Sequence, residues 1–219
     1  MKKITLAFLA SIFFVYAGLA ASLLQPVKLT CEYLENPLGV DVAVPRFGWT
    51  FNPAGKNQMQ SAYEIIVSDH LKDVQQGNGT IWATGKIVSA ENIQVEYRGK
   101  TLQSFTKYYW RVKIFDQSNE MSAWSTVNSF ETSMLHTSDW KAQWIGDGSK
   151  NPEYDADYFK ADRMPLLRKE FLTGKKIITA RLYISGVGYY EAYLNGKKIG
   201  DHVLDPGFTT YRQEVLYSV

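Results

Sequence analysis

A polar segment from 147 to 163 carries the densest set of side chains that could bind a ligand. It is rich in Asp, Gly, Asn and Pro, and loops longer than about fifteen residues are usually functional or mobile. Its carboxylates could give oxygen ligands to calcium, which accepts several oxygens in a flexible geometry, or could accept hydrogen bonds from sugar hydroxyls. These carboxylates are Asp147, Asp155, Asp157 and Asp162. Their spacing does not fit the helix–loop–helix calcium pattern, so a solvated loop is favoured. No cofactor is predicted, and calcium stays an alternative without support from the spacing.

Other chemistries find little support in the residue pattern. Carboxylates on or beside predicted strands occur at Glu170, Glu191, Asp201 and Asp205. Glu191 is most simply a surface charge. The three histidines, which lack the paired spacing of a zinc site, are His70, His136 and His202. Gly186-Val187-Gly188 lacks the third glycine of a dinucleotide-binding loop, and Cys31 has no activating neighbour in the sequence. We therefore assign no catalytic, cofactor-binding or metal-binding residue.

The clearest structural element near these carboxylates is a β-hairpin within 178–211. From Ala180 to Ser185, apolar side chains alternate with polar or larger ones, which is the period of two of a half-buried strand. Ala180, Leu182 and Ile184 fall on one face of that strand, and Arg181, Tyr183 and Ser185 fall on the other. Further along, Asn195-Gly196 between two apolar runs is the strongest short-range signal for a hairpin, because both residues accept a positive φ.

Short alternating runs separated by turn residues fill the chain from Ser22 to about Thr132. The main predicted strands cover 47–51, 63–67, 81–87, 93–97 and 108–114. Such regular short strands are typical of an all-β sandwich. One helical turn is expected near 71–74. Trp49, Tyr108 and Trp110 alternate with polar residues, so we assign them to the core rather than to sugar stacking.

The segment before the longest predicted strand carries a more specific signature. Leu102, Thr106 and Tyr108 resemble the corner of fibronectin type III domains, where a leucine, a threonine and a tyrosine precede a long strand. The resemblance implies a fibronectin III/immunoglobulin-like sandwich in which the Tyr108 hydroxyl bonds back to the upstream backbone and Trp49 is the core tryptophan. Ser104 stands where that family usually has proline.

The last eighty or so residues resemble a second family. The segments WKAQWIG, LRKEF and GVGYYEAYLNGKKIGDHVLDPGFTTY occupy 140–146, 167–171 and 186–211. They resemble the N-terminal accessory domain of bacterial α-L-rhamnosidases of the inverting glycoside hydrolase family 78 type. The match is specific, because several separated motifs occur in the same order. It implies a jelly-roll β-sandwich. We count five or six strands where such a roll needs about eight, so we expect an incomplete roll in which 211–219 are poorly packed or expose apolar surface.

The resemblance implies an accessory role in a larger enzyme. In that family the two catalytic carboxylates lie in a helical barrel that follows the β domains, and no helix-rich region occurs in these 219 residues. We expect the whole protein to hydrolyse terminal α-L-rhamnose from glycans with inversion, and the 219-residue chain alone to be inactive. The alternative is a non-catalytic carbohydrate-binding or spacer module of another exported glycoside hydrolase.

Rhamnose-containing glycans are therefore the expected partner. If the second domain binds sugar itself, the candidate contacts are Tyr189, Tyr193, Asp155 and Asp157. The composition argues against nucleic acid: without Lys2 and Lys3, the 24 basic residues fall to 22 and balance the 22 acidic ones.

The N-terminal residues predict export. Lys2-Lys3 followed by an apolar run up to Gly18 is typical of a secretory signal, and the run is too short for a confident membrane span. We expect cleavage after Ala20, no membrane span thereafter, and a periplasmic or extracellular location. The predicted organisation is a signal peptide at 1–20, a fibronectin III-like sandwich at 21–134 and the N-terminal part of a jelly roll at 135–219.

Overall fold

A computed structural model describes residues 24–52, 57–149, 153–160 and 164–219, so the predicted signal peptide lies outside the described residues. In chain order the elements are β1 (Gln25–Cys31), β2 (Leu38–Val40), β3 (Arg46–Asn52), β4 (Gln60–Ser68), α1 (Leu71–Gln75), β5 (Trp82–Ala83), β6 (Ile87–Val88), β7 (Val95–Glu96), β8 (Lys107–Asp116), β9 (Asn128–Thr132), β10 (Ile184–Ser185), β11 (Tyr193–Leu194), β12 (Lys197–Lys198) and β13 (Tyr217–Ser218). Short 3₁₀ turns cover Thr137–Asp139 and Asp155–Phe159.

The chain divides into two compact units. Among the described residues, the first contains 24–36, 44–52, 57–101 and 107–129. The second contains 37–43, 102–106, 130–149, 153–160 and 164–219. β9 begins in the first unit and ends in the second.

Two sheets build the first unit. One has the strand order β1-β3-β7, and β1 pairs antiparallel with β3 from Gln25 opposite Asn52 to Cys31 opposite Phe47. The other has β4 at its centre, with β8 on one side and β5 and β6 on the other. β8 is followed on its outer side by β9. The strands predicted at 47–51, 63–67 and 108–114 are present as β3, β4 and β8, and the predicted helical turn is α1. The strand predicted at 81–87 is wrong in extent, since only β5 and the first residue of β6 fall in it, and 93–97 contains only β7.

The core of the first unit follows directly from the alternation of its two longest strands. In β8 the side chains of Tyr108, Trp110, Val112 and Ile114 are buried, while those between them are not fully buried. Trp110 lies with its ring 4.5 Å from that of Phe47, and Trp49 makes an edge contact with Tyr63 at 5.3 Å. Full burial of an apolar side chain of this kind contributes about 1.5–3 kcal/mol. The assignment of Trp49, Tyr108 and Trp110 to the core is confirmed.

Serine side chains complete the edge of β8 where the chain passes along it at 122–125. Ser122 accepts a hydrogen bond from the Ile114 N–H through its Oγ, at 3.0 Å, and its own N–H donates to the Ile114 carbonyl at 2.8 Å. Ser125 repeats both contacts with Val112, at 3.1 and 2.8 Å. Because the side chain replaces a missing backbone acceptor, the buried N–H groups of β8 are satisfied without a regular strand.

The second unit has much shorter pairings. β2 pairs in parallel with β9, β10 pairs with β13, and β11 pairs with β12. The Asn195-Gly196 hairpin is confirmed, with φ values of 50° and 79° joining β11 to β12. These two positive φ values are what a two-residue hairpin turn of the favoured twist requires.

The strand predicted from the alternation in 180–185 is wrong in extent. Only Ile184–Ser185 is a strand there, and the motif at 167–171 forms none. A strand exists only where a neighbour supplies backbone partners, and β13 offers partners to those two residues alone. Leu167, Phe171 and Leu182 are instead exposed. The all-β class and the immunoglobulin-like sandwich are confirmed.

Candidate functional site

The hairpin places one of the predicted sugar contacts, Tyr193, in a small charged cluster. The Tyr193 hydroxyl donates to Oε2 of Glu191 at 2.6 Å, and Nζ of Lys198 donates to Oε1 of the same carboxylate at 2.7 Å. The Lys198 ammonium, followed by the Tyr193 hydroxyl, lowers the pKa of Glu191. The tyrosine ring itself remains 58% exposed. Glu191 is thus a surface charge, as predicted, and it holds the hydroxyl of the exposed Tyr193.

A second polar cluster surrounds Asp205. Its Oδ2 accepts hydrogen bonds from Ser218 Oγ and from Tyr190 OH, the latter at 3.5 Å. The same oxygen lies 3.3 Å from Nδ1 of His202. Its carbonyl oxygen accepts the Tyr190 N–H at 2.9 Å, which ties the 190 and 205 segments together. The Ser218 hydroxyl is the main cause of the lowered pKa of Asp205. This carboxylate therefore organises the loop after the hairpin and is already well supplied with donors.

Two of the other predicted sugar contacts, Tyr189 and Asp155, lie at exposed positions. Tyr189 is 55% exposed, and Asp155 lies exposed in the 3₁₀ turn Asp155–Phe159. Among the described side chains, no hydrogen bond or ring contact joins either residue to Tyr193. The backbone of Asp157 belongs to the same turn, and its side chain lies outside what the structure describes. These four residues remain predicted contacts.

The loop carboxylates do not converge on a cation in the part of the chain that the structure describes. Asp147 accepts hydrogen bonds from the N–H and the Oγ of Ser149, at 2.9 and 2.6 Å, and the Ser149 hydroxyl chiefly lowers its pKa. Asp162 lies outside the described residues. Within the described ranges, no group of three or more His, Cys, Asp or Glu side chains is arranged to hold a metal ion.

The sequence did not predict an aromatic cleft in the second unit. This cleft, with a volume of about 150 Å³, is lined by Phe105, Met134, Asp139, Trp140, Lys141, Ala142 and Tyr183. The rings of Phe105 and Tyr183 meet edge to face at 5.2 Å, and Trp140 and Tyr183 both contact Tyr217, at 6.1 and 6.3 Å. In the sequence, Trp140 belongs to the motif at 140–146, and Phe105 lies far before it in the chain. No local sequence pattern therefore predicts that these two side chains line the same cleft.

Two family models match this chain. The first describes a Rha78A-like, N-terminal immunoglobulin domain and covers residues 26–136. The chain belongs to this family. The second describes the N-terminal domain of α-L-rhamnosidases and covers residues 175–219. The two resemblances seen in the sequence, an immunoglobulin-like sandwich followed by a rhamnosidase N-terminal domain, are therefore confirmed.

Curated relatives carry the same name as the second model. An α-L-rhamnosidase of Formosa agariphila is 35% identical over 204 residues, which are 87% of this chain and 21% of the relative. An α-L-rhamnosidase of Alteromonas sp. is 36% identical over 186 residues, which are 84% of this chain and 20% of the relative. The chain thus spans about a fifth of the length of the curated relatives it matches. Because both matched family models describe N-terminal domains, the chain corresponds to an N-terminal part of these relatives.

Solved structures agree with this placement. The α-L-rhamnosidase from Dictyoglumus thermophilum superposes with a TM-score of 0.76 at 38% identity, over 88% of this chain and 22% of that one. The Streptomyces avermitilis α-L-rhamnosidase, solved in complex with L-rhamnose, gives a TM-score of 0.54 at 33% identity over 56% of this chain and 12% of that one. Separately, none of the helices in the described ranges has the length and apolarity needed to cross a membrane.

Proposed function

We propose that this chain is the non-catalytic N-terminal part of an exported enzyme that hydrolyses terminal α-L-rhamnose from glycans with inversion. The observation that carries the proposal is the order of the two matched domains, 26–136 and then 175–219, in a chain whose relatives are named α-L-rhamnosidases. In this account the two β units support the catalytic domain, and the substrate is a rhamnose-containing glycan.

Six of the described carboxyl groups are unsuited to the role of general acid. An inverting glycosidase needs one carboxylic acid with a raised pKa and one carboxylate about 6.5–9.5 Å away that activates water. Every described carboxyl group whose pKa shifts, shifts downward, and each of these accepts hydrogen bonds or faces a cation: Glu32, Asp69, Asp139, Asp147, Glu191 and Asp205. A group held ionised at neutral pH cannot serve as the general acid.

The test compares this chain with the natural polypeptide in one assay. We expect the purified 219-residue chain to release no p-nitrophenol from p-nitrophenyl α-L-rhamnopyranoside above background. The polypeptide captured from its source cells with an antibody against this region should hydrolyse the same substrate. Turnover by the short chain, abolished in a Glu191→Gln or Asp205→Asn variant, would contradict the proposal.

Export belongs to the same proposal. The basic pair Lys2-Lys3 and the apolar run that follows are the supporting feature. Cell fractionation should find the protein outside the cytoplasm, and N-terminal sequencing should begin at Ala21. A cytoplasmic protein that still begins at Met1 would remove this part of the proposal and leave the enzymatic part standing.

A second candidate function is direct carbohydrate binding by the second unit, as a module of this or another exported glycoside hydrolase. The exposure of Tyr189 and Tyr193 favours it, because aromatic rings offer large contact area at little entropic cost. Titration with L-rhamnose, monitored by tryptophan fluorescence or by NMR, tests this. Absence of any saturable response would leave a spacer role alone.

A further inference from the structure

We infer that the aromatic cleft around Trp140 is a binding subsite for a single neutral deoxyhexose ring, and that it is separate from the exposed tyrosines of the hairpin. The inference deepens the proposed function and rests on it for the choice of sugar. The geometry of the cleft supplies the rest of the argument, because each class of contact that a pyranose needs is present among its lining residues.

The apolar contacts come from three rings. Phe105, Trp140 and Tyr183 line the cleft, and the Phe105 side chain is 49% exposed. Trp140 and Tyr183 are half-buried, and both are steadied from one side by contact with the Tyr217 ring. Rings that are fixed on one side and open on another can contact the C–H faces and methyl group of a deoxy sugar without losing much side-chain entropy.

The polar contacts come from a fixed carboxylate and a flexible ammonium. Oδ2 of Asp139 accepts hydrogen bonds from Ser104 Oγ at 2.5 Å and from the His136 N–H at 3.0 Å. Because of the Ser104 hydroxyl above all, the pKa of Asp139 is lowered and the group is ionised at neutral pH. The Leu135 N–H, like the His136 N–H, also helps to lower this pKa. Nζ of Lys141 donates to the Ser138 carbonyl at 2.5 Å and keeps two further donors.

The phenol of Tyr183 adds a third polar group. Its hydroxyl has no hydrogen-bond partner in the described ranges, although the ring is packed between Phe105 and Tyr217. A hydroxyl, an anionic acceptor and a cationic donor around an aromatic cavity form the usual composition of a small-molecule site, which is mostly apolar with a few convergent polar groups. Hydrogen bonds to ionised groups are also the stronger ones.

The size of the cleft sets the size of the ligand. Its volume of about 150 Å³ is well below the roughly 300–1,000 Å³ of pockets for drug-sized ligands. One sugar ring fits that space better than an oligosaccharide. Asp139 is anionic and Lys141 is cationic, so the cleft does not select a cation or a phosphate. The pair instead favours a neutral molecule with hydroxyl groups.

The test uses the indole N–H signals of the ¹⁵N-labelled full chain. L-Rhamnose should shift one indole signal in a saturable way, and that signal should be the one missing from the Trp140→Phe variant. Trp144→Phe is the matched control, since Trp144 lies in the same segment, is largely exposed and does not line the cleft. It should bind like the unmodified chain. D-Glucose, which lacks the methyl group, should bind more weakly.

Two further variants remove contacts at exposed positions and keep the test independent of folding. Lys141→Met and Phe105→Asn should each weaken binding by about tenfold or more while the melting temperature stays unchanged. Asparagine is chosen because Phe105 has a φ of 56°, a region that asparagine tolerates.

Three results would overturn the inference. The first is the lack of a saturable shift at the highest soluble sugar concentration. The second is unchanged binding in both Lys141→Met and Phe105→Asn. The third is loss of binding in Tyr189→Ala or Tyr193→Ala with Trp140→Phe unaffected, which would move the site to the hairpin. None of these outcomes touches the proposed function, which fails only if the natural polypeptide does not hydrolyse rhamnosides.

Discussion

Arg181 and Glu131 form a bidentate ion pair although fifty residues separate them in the sequence. Nε of Arg181 donates to Oε1 of Glu131 at 2.8 Å, and Nη2 donates to Oε2 at 2.9 Å. The Glu131 side chain is only 12% exposed. A bidentate pair of this kind is geometrically specific. Without the guanidinium, the carboxylate of Glu131 would be a largely buried charge that lacks its partner.

We therefore predict that Arg181→Ala lowers the free energy of unfolding by about 2 kcal/mol, because it leaves a largely buried carboxylate without its main donor. Urea denaturation measures this. Arg168→Ala is the control, since Arg168 and Glu170 also form an ion pair but both side chains are about four-fifths exposed, and it should cost less than about 0.5 kcal/mol. Equal losses in the two variants would contradict the assigned role of the Arg181 pair.

Cys31 should make the stability of the protein depend on pH in mildly alkaline solution. Its side chain is fully buried, and that burial, aided by Glu32, raises the pKa of the thiol. The unfolded chain releases the thiol proton near pH 8.5, whereas the folded chain keeps it. Above that pH the unfolded state binds fewer protons, so the free energy of unfolding should fall by about 1.4 kcal/mol per pH unit from this group.

The Cys31→Ala variant isolates that contribution. As the pH rises above about 8.5, its unfolding free energy should fall less steeply than that of the unmodified chain, and the difference should approach the stated slope well above that pH. In the same series, Ellman's reagent should leave the native thiol unmodified and react only after denaturation. Rapid reaction in native buffer would mean that Cys31 is accessible and would refute the prediction.

Gln60 should be among the most sensitive polar residues of the first unit. Its Oε1 accepts the Trp49 indole N–H at 2.9 Å, and its Nε2 donates to the carbonyls of Ser89 and Glu91 at 3.2 and 2.8 Å. Gln60→Leu removes the acceptor of the buried Trp49 indole N–H and the donor to two part-buried carbonyls, and should cost about 1–3 kcal/mol. Gln75→Leu, at an exposed position of α1, should change little. A Gln60→Leu protein as stable as the parent would show that water replaces all three bonds.

Exposed apolar side chains of the second unit should make this chain prone to association. Leu166, Leu172, Ile178 and Phe208 are each more than four-fifths exposed. Contiguous exposed apolar surface usually marks an interaction site or an aggregation liability. The chain should bind the dye ANS, and a Leu172→Ser, Phe208→Ser double variant should bind less dye with its stability changed by less than about 0.5 kcal/mol.

The matched control for that prediction is a buried position. Ile65→Ser places a hydroxyl in the core of the first unit and should unfold or strongly destabilise the protein. A double surface variant as unstable as Ile65→Ser would mean that Leu172 and Phe208 are packed in solution, and this would contradict the prediction.

The sequence predicted best where neighbouring residues decide the structure. The alternation of β4 and β8, the core positions of Trp49 and Trp110 and the Asn195-Gly196 turn all follow from periods of two or from a two-residue conformation. The buried side of these strands needed no knowledge of distant residues. The sandwich and its core were predictable for that reason.

It predicted least where distant residues decide the structure. The alternation in 180–185 suggested that Leu182 shares the apolar face of a strand, yet Leu182 is exposed and the opposite face makes the contacts, through Arg181 with Glu131 and Tyr183 with Phe105. Tertiary partners overrode the local pattern there. The same long separations explain why the Trp140 cleft was not predicted. The packing expected at 211–219 stays a prediction, with Tyr217–Ser218 paired to β10 and Leu216 and Val219 about two-fifths exposed.

The most direct test of the central claim is an activity and size measurement on the natural polypeptide. An antibody raised against 24–219 should capture from the source cells a protein several times larger than 24.9 kDa, and this protein should release L-rhamnose from rhamnosides with inverted configuration, as followed by NMR. The 219-residue chain alone should release no L-rhamnose. A captured protein close to the calculated mass that has no rhamnosidase activity, or an active one that retains configuration, would contradict the account.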